Sequence, residues 1–210
     1  MRSVNEFPFW GRKRLFFGDG NQIIYLYNAT GQKLSKVVQA AEEIRTDYLT
    51  AFQYHKQELN FFPHAEGYVS VVEGRFKYVF NYTDHLGNIR LSYSDANDDN
   101  NIQQEEILEE SNYYPFGLKL TAYNTNQKKY IRDEELNELI LSFFPRFAGD
   151  GRYNYKYNGK EYQDELEVNM YAMDMRQYDP SITRWVVQEP VVHFEYSPYN
   201  AFDNKPSVLC

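Results

Sequence analysis

Asp95, Asn97, Asp99, Asn101 and Glu106 fall at positions 1, 3, 5, 7 and 12 of the stretch DANDDNNIQQEE. That is the spacing at which a calcium loop places its oxygen ligands, ending in a bidentate carboxylate. Ile102 stands where such loops often carry an apolar residue. Position 6 calls for glycine, and Asn100 stands there, a residue that tolerates left-handed backbone. The flanks read as strands rather than as the helices of an EF-hand. Calcium is the one cofactor this spacing offers; an acidic, solvated loop without a cofactor is the simpler reading of the same residues.

Little else in the chain could do chemistry. The four histidines, His55, His64, His85 and His193, form no metal-ligand spacing with one another. Cys210 is the single cysteine, so neither an internal disulfide nor a multi-cysteine zinc site is expected. No Gly-x-Ser-x-Gly elbow, phosphate-binding loop or dinucleotide fingerprint occurs, and no spacing singles out an acid/base carboxylate pair. The residues therefore name no catalytic set.

Net charge is −8 and the pI is about 5.1. A phosphate-backbone binder needs a basic face, and the only basic run, Gly11-Arg12-Lys13-Arg14, reads as a solvated turn. Residues 1–10 mix Arg, Asn and Glu with aromatics, so they form no signal-peptide core, and no stretch is long and apolar enough to suggest a membrane span. Composition thus argues against a nucleic-acid partner and against a membrane span.

The elements that must position these residues are mainly strands. Hydrophobic residues make up 42% of the 210, with 20 Tyr and 15 Phe among them. Tyrosine suits a half-buried pleated surface, its ring packed and its hydroxyl wet. Residues 20–38 read as a hairpin reversed at Asn28-Ala29-Thr30-Gly31, and residues 76–93 repeat the plan with Tyr78, Phe80 and Tyr82 alternating before Asp84-His85-Leu86-Gly87-Asn88. Short strands are expected across 50–72, and again at 106–114 before the turn Pro115-Phe116-Gly117. A hairpin is expected from 153–162 and 168–178, joined at Gln163-Asp164-Glu165, with Tyr171, Met173 and Met175 on one apolar face.

One segment breaks the pattern. Leu136, Leu139, Ile140, Phe143 and Phe144 fall at i, i+3, i+4, i+7 and i+8, which predicts an amphipathic helix over 133–144. Asp133 would cap it and Pro145 would stop it. Ser197-Pro198-Tyr199-Asn200 reads as a one-turn helix start, with Ser at the cap and Pro first inside.

In order along the chain, Tyr82-Thr83-Asp84…Gly87-Asn88, Tyr114-Pro115-Phe116-Gly117, Tyr157-Asn158-Gly159, Tyr178-Asp179-Pro180, Arg184-Trp185 and Ser197-Pro198-Tyr199-Asn200 resemble the core signature of bacterial RHS/YD-repeat proteins. The resemblance spans most of 61–206 and is weak before it. Asn28 replaces the usual aspartate in the first repeat, Glu167 stands where the family has glycine, and no Asp-Pro-x-Gly junction follows Lys205-Pro206. Asp179-Pro180 is followed by Ser181-Ile182, so it reads as a turn and not as the family's self-cleavage motif.

The resemblance implies a mainly β, antiparallel shell strip with one inserted helix. It divides the chain into a YD-repeat-like segment (1–120), an insertion (121–151) and a core-signature segment (152–210). The function it implies is structural: a truncated piece of wall in a secreted or cell-surface shell, enclosing a polymorphic toxin and partnered by the rest of that shell. Catalysis is not expected. Two alternatives stand beside it, a carbohydrate-binding or adhesive module and a remnant of a self-cleaving aspartyl protease.

Overall fold

The computed structural model describes residues 3–5, 11–120, 122, 127–143, 151–173, 176–188, 195 and 197–205. Phe144, Pro145, Met175, His193, Pro206 and Cys210, which the sequence reading used, lie outside them.

Eleven strands form one antiparallel meander in which each pairs with the next. They are β1 (Ser3–Asn5), β2 (Gly11–Phe16), β3 (Gln22–Tyr27), β4 (Lys33–Gln39), β5 (Glu43–Leu49) and β6 (Phe52–His55). The sheet continues through β7 (Glu58–His64), β8 (Gly67–Val72), β9 (Arg75–Thr83), β10 (Ile89–Tyr93) and β11 (Ile107–Glu110). A separate hairpin follows, β12 (Lys128–Asp133) with β13 (Glu138–Phe143). The last sheet is β14 (Glu161–Gln163), β15 (Met170–Met173), β16 (Arg176–Asp179) and β17 (Arg184–Trp185), again a meander.

Five reversals share one construction: 17–21, 28–32, 84–88, 114–118 and 156–160. In each, the first N–H donates to the fifth carbonyl, and the fourth N–H donates back to the first carbonyl. The fourth residue is always glycine, with φ between +63° and +86°. This is the three-residue hairpin loop with a left-handed fourth position, where a side chain would be strained. Asn28 and Asp84 add a side-chain oxygen that accepts two loop N–H groups. Asn28 thus does in its loop what Asp84 does in its own.

The predicted helix is a hairpin. Asp133 does accept N–H groups, from Glu135 at 2.9 Å and Leu136 at 3.0 Å, as a cap would. The turn does not propagate, because Asn137 takes φ +54° and sends the chain back as β13. Leu139, Ile140 and Leu141 fit either period, as a short apolar run does. Packing decides between them: Leu139 and Leu141, two residues apart, both lie against the Phe61, Tyr68, Val79, Leu108 and Tyr130 core. Leu136, assigned to the helix's apolar stripe, is left at the exposed loop tip.

Other local expectations are corrected. Gly11-Arg12-Lys13-Arg14 is part of β2, not a turn. The strand expected at 106–114 is only β11, preceded by a 3-10 turn at Gln104–Glu106. Of 153–162 only Glu161 and Tyr162 are strand, as the start of β14; Tyr155 forms an isolated bridge with Glu161 and Tyr157–Gly159 is a 3-10 turn. The link from β14 to β15 runs longer than three residues, with Leu166, Glu167 and Asn169 all left-handed. Ser197–Asn200 is a turn rather than a helix start; the 3-10 turn comes later, at Phe202–Asn204.

Register fixes two faces. Tyr25, Lys36 and Thr46 lie opposite one another across β3, β4 and β5, and Gln53 lies opposite Phe61 farther on. These residues are buried beneath the C-terminal third of the chain. On the other face Phe52 stacks on Phe62, Phe62 meets Phe76 edge-on, and His64 meets Tyr78 and Phe80. Phe76, Tyr78 and Tyr82 are exposed on that side.

Candidate functional site: the seam between sheet and core segment

The described residues of 151–205 close onto the meander through turns, tyrosine hydroxyls and buried charges. The turn at 156–160 sits against the turn at 84–88. Asn158 donates its N–H to Asn88 Oδ1 at 2.9 Å, and Ile89 donates to the Lys156 carbonyl at 3.1 Å. Asn88 Nδ2 in turn donates to Asp84 Oδ2, so the aspartate that folds its own loop also orients the amide that holds the next one.

The turn at 114–118 is the third member. Tyr178, Tyr171 and Tyr157 donate their hydroxyls to three consecutive carbonyls, those of Phe116 at 2.8 Å, Gly117 at 2.9 Å and Pro115 at 3.3 Å. A Cβ on Gly117 would sit 2.6 Å from the Tyr157 ring, and its φ is +82°. Glycine is therefore required there twice over. Behind the hydroxyls, Tyr157, Tyr171, Tyr178, Trp185, Ala201 and Phe202 form one buried cluster. Arg176 stacks 3.8 Å over the Trp185 ring, while Arg184 reaches Asn200 Oδ1 at 3.3 Å. Asp179 Oδ1 accepts the Ser181 N–H at 2.9 Å and closes the β16–β17 turn, with Pro180 buried. Tyr199 hands its carbonyl to the Trp185 N–H, and Ser197 Oγ accepts the Tyr199 N–H at 3.4 Å, with Pro198 between.

Two buried charge clusters lie along the same seam. Lys36 Nζ is 2.7 Å from Glu161 Oε1 and 2.5 Å from Glu165 Oε1. Lys33 pairs with the other Glu161 oxygen, and Tyr48 donates its hydroxyl to Glu161 at 2.8 Å. Tyr25 donates to Gln163 Oε1 at 2.9 Å. Burial alone would raise the Glu161 carboxyl, but Lys33 and Lys36 bring it down to about 2. Burial opposes the Lys36 charge as well, yet Glu161 and Glu165 hold its pKa well above the ordinary value. Farther along, Glu109 is held by Lys156 and, at 2.8 Å, by Lys119. There too burial pushes the carboxyl up, and the two lysines outweigh it, bringing it to about 2.

None of these ionic residues was singled out from the sequence. A signal existed in the spacing of Glu161 and Gln163, which alternate onto one face of β14, while Glu165 joins them from the 3-10 turn that follows. Their partners lie more than a hundred positions away, so spacing could not supply them.

The five candidate calcium ligands are brought into one loop, where oxygens of Asp95, Asn97, Asp99 and Glu106 already accept hydrogen bonds. Glu106 Oε1 accepts from Ala96 at 2.7 Å and Asn97 at 3.3 Å, and Oε2 from Gln103 at 2.9 Å. The Gln103 N–H, with Ala96 behind it, holds the Glu106 carboxyl below the ordinary range. Asp95 accepts from Asp99 and Asn100, and Asp99 accepts from Asn101. Among the described residues no three His, Cys, Asp or Glu side chains converge as metal ligands would.

No family model matches the chain, and no curated protein does. Solved structures do. Crystal structures of TcdB2-TccC3, with and without the hypervariable C-terminal region, align over 100% of this chain with a TM-score of 0.67 and 16% identity. A Photorhabdus luminescens Tc holotoxin pore aligns equally well. The chain spans 10% of the length of each of these. What is shared at that identity is the fold, an antiparallel β strip followed by its closing segment.

Proposed function

We propose that this chain is a length of wall in an RHS/YD-repeat shell, secreted or displayed at the cell surface, that encloses a toxin. The observation that carries the reading is the seam: three glycine turns and two buried ion clusters lock the described residues of 151–205 onto the sheet. The match of the whole chain to a tenth of longer toxin-complex chains supports a part rather than a complete machine. Its partners are the neighbouring shell strands and the payload. The role is architectural, without catalysis. Incubated for days between pH 4 and 8, the purified chain should stay intact by mass spectrometry and turn over no added peptide or glycan. A discrete break in its backbone, lost on mutation of one aspartate, would instead reveal the protease remnant.

A carbohydrate-binding or adhesive face is the second reading, favoured by the exposed rings of Phe76, Tyr78 and Tyr82. Against it, several rings of that row meet edge-on rather than lying coplanar as a sugar platform requires. Calcium in the 95–106 loop is a further, weaker proposal, since the ion would have to displace N–H donors from Asp95 and Glu106. Calorimetry with millimolar calcium should give heat that Asp95→Ala and Glu106→Ala both abolish; no heat from the unaltered chain removes calcium from the account.

A further inference from the structure

A pocket of about 10 Å³ lies under the seam. Thr46 and Gln53 line it from β5 and β6, and Asn154, Glu161 and Glu165 line it from the closing segment. Three of these side chains carry an oxygen that no donor of the described residues reaches: Gln53 Oε1, Asn154 Oδ1 and Glu165 Oε2. Gln53 is 6% exposed and Glu165 is 3% exposed, so bulk solvent does not serve them. Their surroundings hold them in place. Lys36 fixes the other Glu165 oxygen at 2.5 Å, the Asn154 carbonyl accepts the Tyr162 N–H at 2.7 Å, and Gln53 sits in a strand paired on both edges.

A buried acceptor left without a donor loses its hydration and gains nothing in return. The pocket has room for about one water, and polar lining of this kind is what keeps such a space wet. A bare cation is the other guest of that size, and the charges argue against it. Lys36 already serves both Glu161 and Glu165, Lys33 adds a second positive charge at Glu161, and Arg152 lines the same pocket. Two carboxylates thus face three cationic side chains, and a further positive charge would be repelled.

We propose that this pocket holds one water, which bridges the sheet to the closing segment. It donates to Gln53 Oε1 and to Glu165 Oε2, the charged and therefore stronger acceptor. Asn154 completes its shell, because an amide can turn its NH2 toward a water that accepts as well as donates. Gln53 thereby joins the seam through a hydrogen-bonded link that no side chain makes for it directly. The inference rests on the seam and not on the shell reading.

A crystal structure of the full chain that shows ordered solvent should place one water within hydrogen-bond distance of both Gln53 Oε1 and Glu165 Oε2. In solution, relaxation dispersion of the water oxygen should count one long-lived water fewer in Gln53→Met, which keeps an unbranched side chain and removes its acceptor. The same variant should speed amide exchange in the segment around Asn154 and Glu165 roughly fivefold, the factor that one hydrogen bond of ordinary net strength provides. The crystal structure needs no variant, so it decides the point even where Gln53→Met repacks. Gln53 and Glu165 bonded to protein donors with no water between them would overturn the proposal. So would an unchanged water count in a folded Gln53→Met, or a melting temperature that shifts when potassium replaces sodium at constant ionic strength, which would mark a bound cation.

Discussion

Gly117 and Gly20 occupy the same position of the same turn and differ in what surrounds them. Both are left-handed, at φ +82° and +86°. Nothing stands within 4 Å of a Cβ built on Gly20, whereas one on Gly117 would meet the Tyr157 ring at 2.6 Å. Gly20→Ala should cost only the backbone strain, about 1–2 kcal/mol. Gly117→Ala should add an overpacking cost of about 1–3 kcal/mol and loosen the carbonyls that Tyr171 and Tyr178 bind. Urea denaturation of the two variants side by side checks this; equal losses would mean that the Tyr157 contact is not tight.

At the scale of elements, the 128–143 hairpin turns on Asn137. Its left-handed φ suits asparagine or glycine, and its side-chain oxygen also accepts from Arg132 at 2.7 Å. Asn137→Gly should keep the hairpin with a small loss from the missing Arg132 bond. Asn137→Val should cost about 1–2 kcal/mol, because a β-branched residue resists that conformation. Cα chemical shifts over 133–143 should report extended backbone at both flanks in the unaltered chain. Helical shifts there would restore the 3.6-residue reading of the same leucines.

The whole molecule depends on charges held out of water. Glu161 and Glu109 have folded pKa values near 2, depressed from 4.5. A depressed carboxylate adds stability that is complete above its unfolded value and is lost as pH falls through its folded value. Stability should therefore be level above about pH 5 and fall steeply between about pH 4.5 and 2, each carboxylate contributing on the order of 3 kcal/mol. Glu161→Ala should cost about 3–5 kcal/mol at neutral pH by stranding Lys33 and leaving Lys36 with Glu165 alone, and should flatten that acid limb. Denaturant midpoints measured from pH 2 to 7 on both proteins test the point; an acid limb identical in the variant would place the pH dependence elsewhere.

What the sequence by itself determined was everything that a few neighbouring residues can impose. The glycines at 31, 87 and 117 announce reversals because left-handed backbone is a local steric matter, whereas Gly159 fell inside an expected strand. Asn28 and Asp84 announce theirs because a short side chain reaches its own loop. Tyrosine content and alternation announced an antiparallel sheet. Tertiary structure decided the rest. Leu139-Ile140-Leu141 satisfies two periods, and only docking against Leu108 and Tyr130 selects the strand. Lys36 meets Glu161 across 125 positions, and Tyr171 meets the Gly117 carbonyl across 54. Charged and hydroxyl groups read as surface in a sequence because burial is costly without a partner, and the partner is supplied only when the closing segment folds back over the sheet.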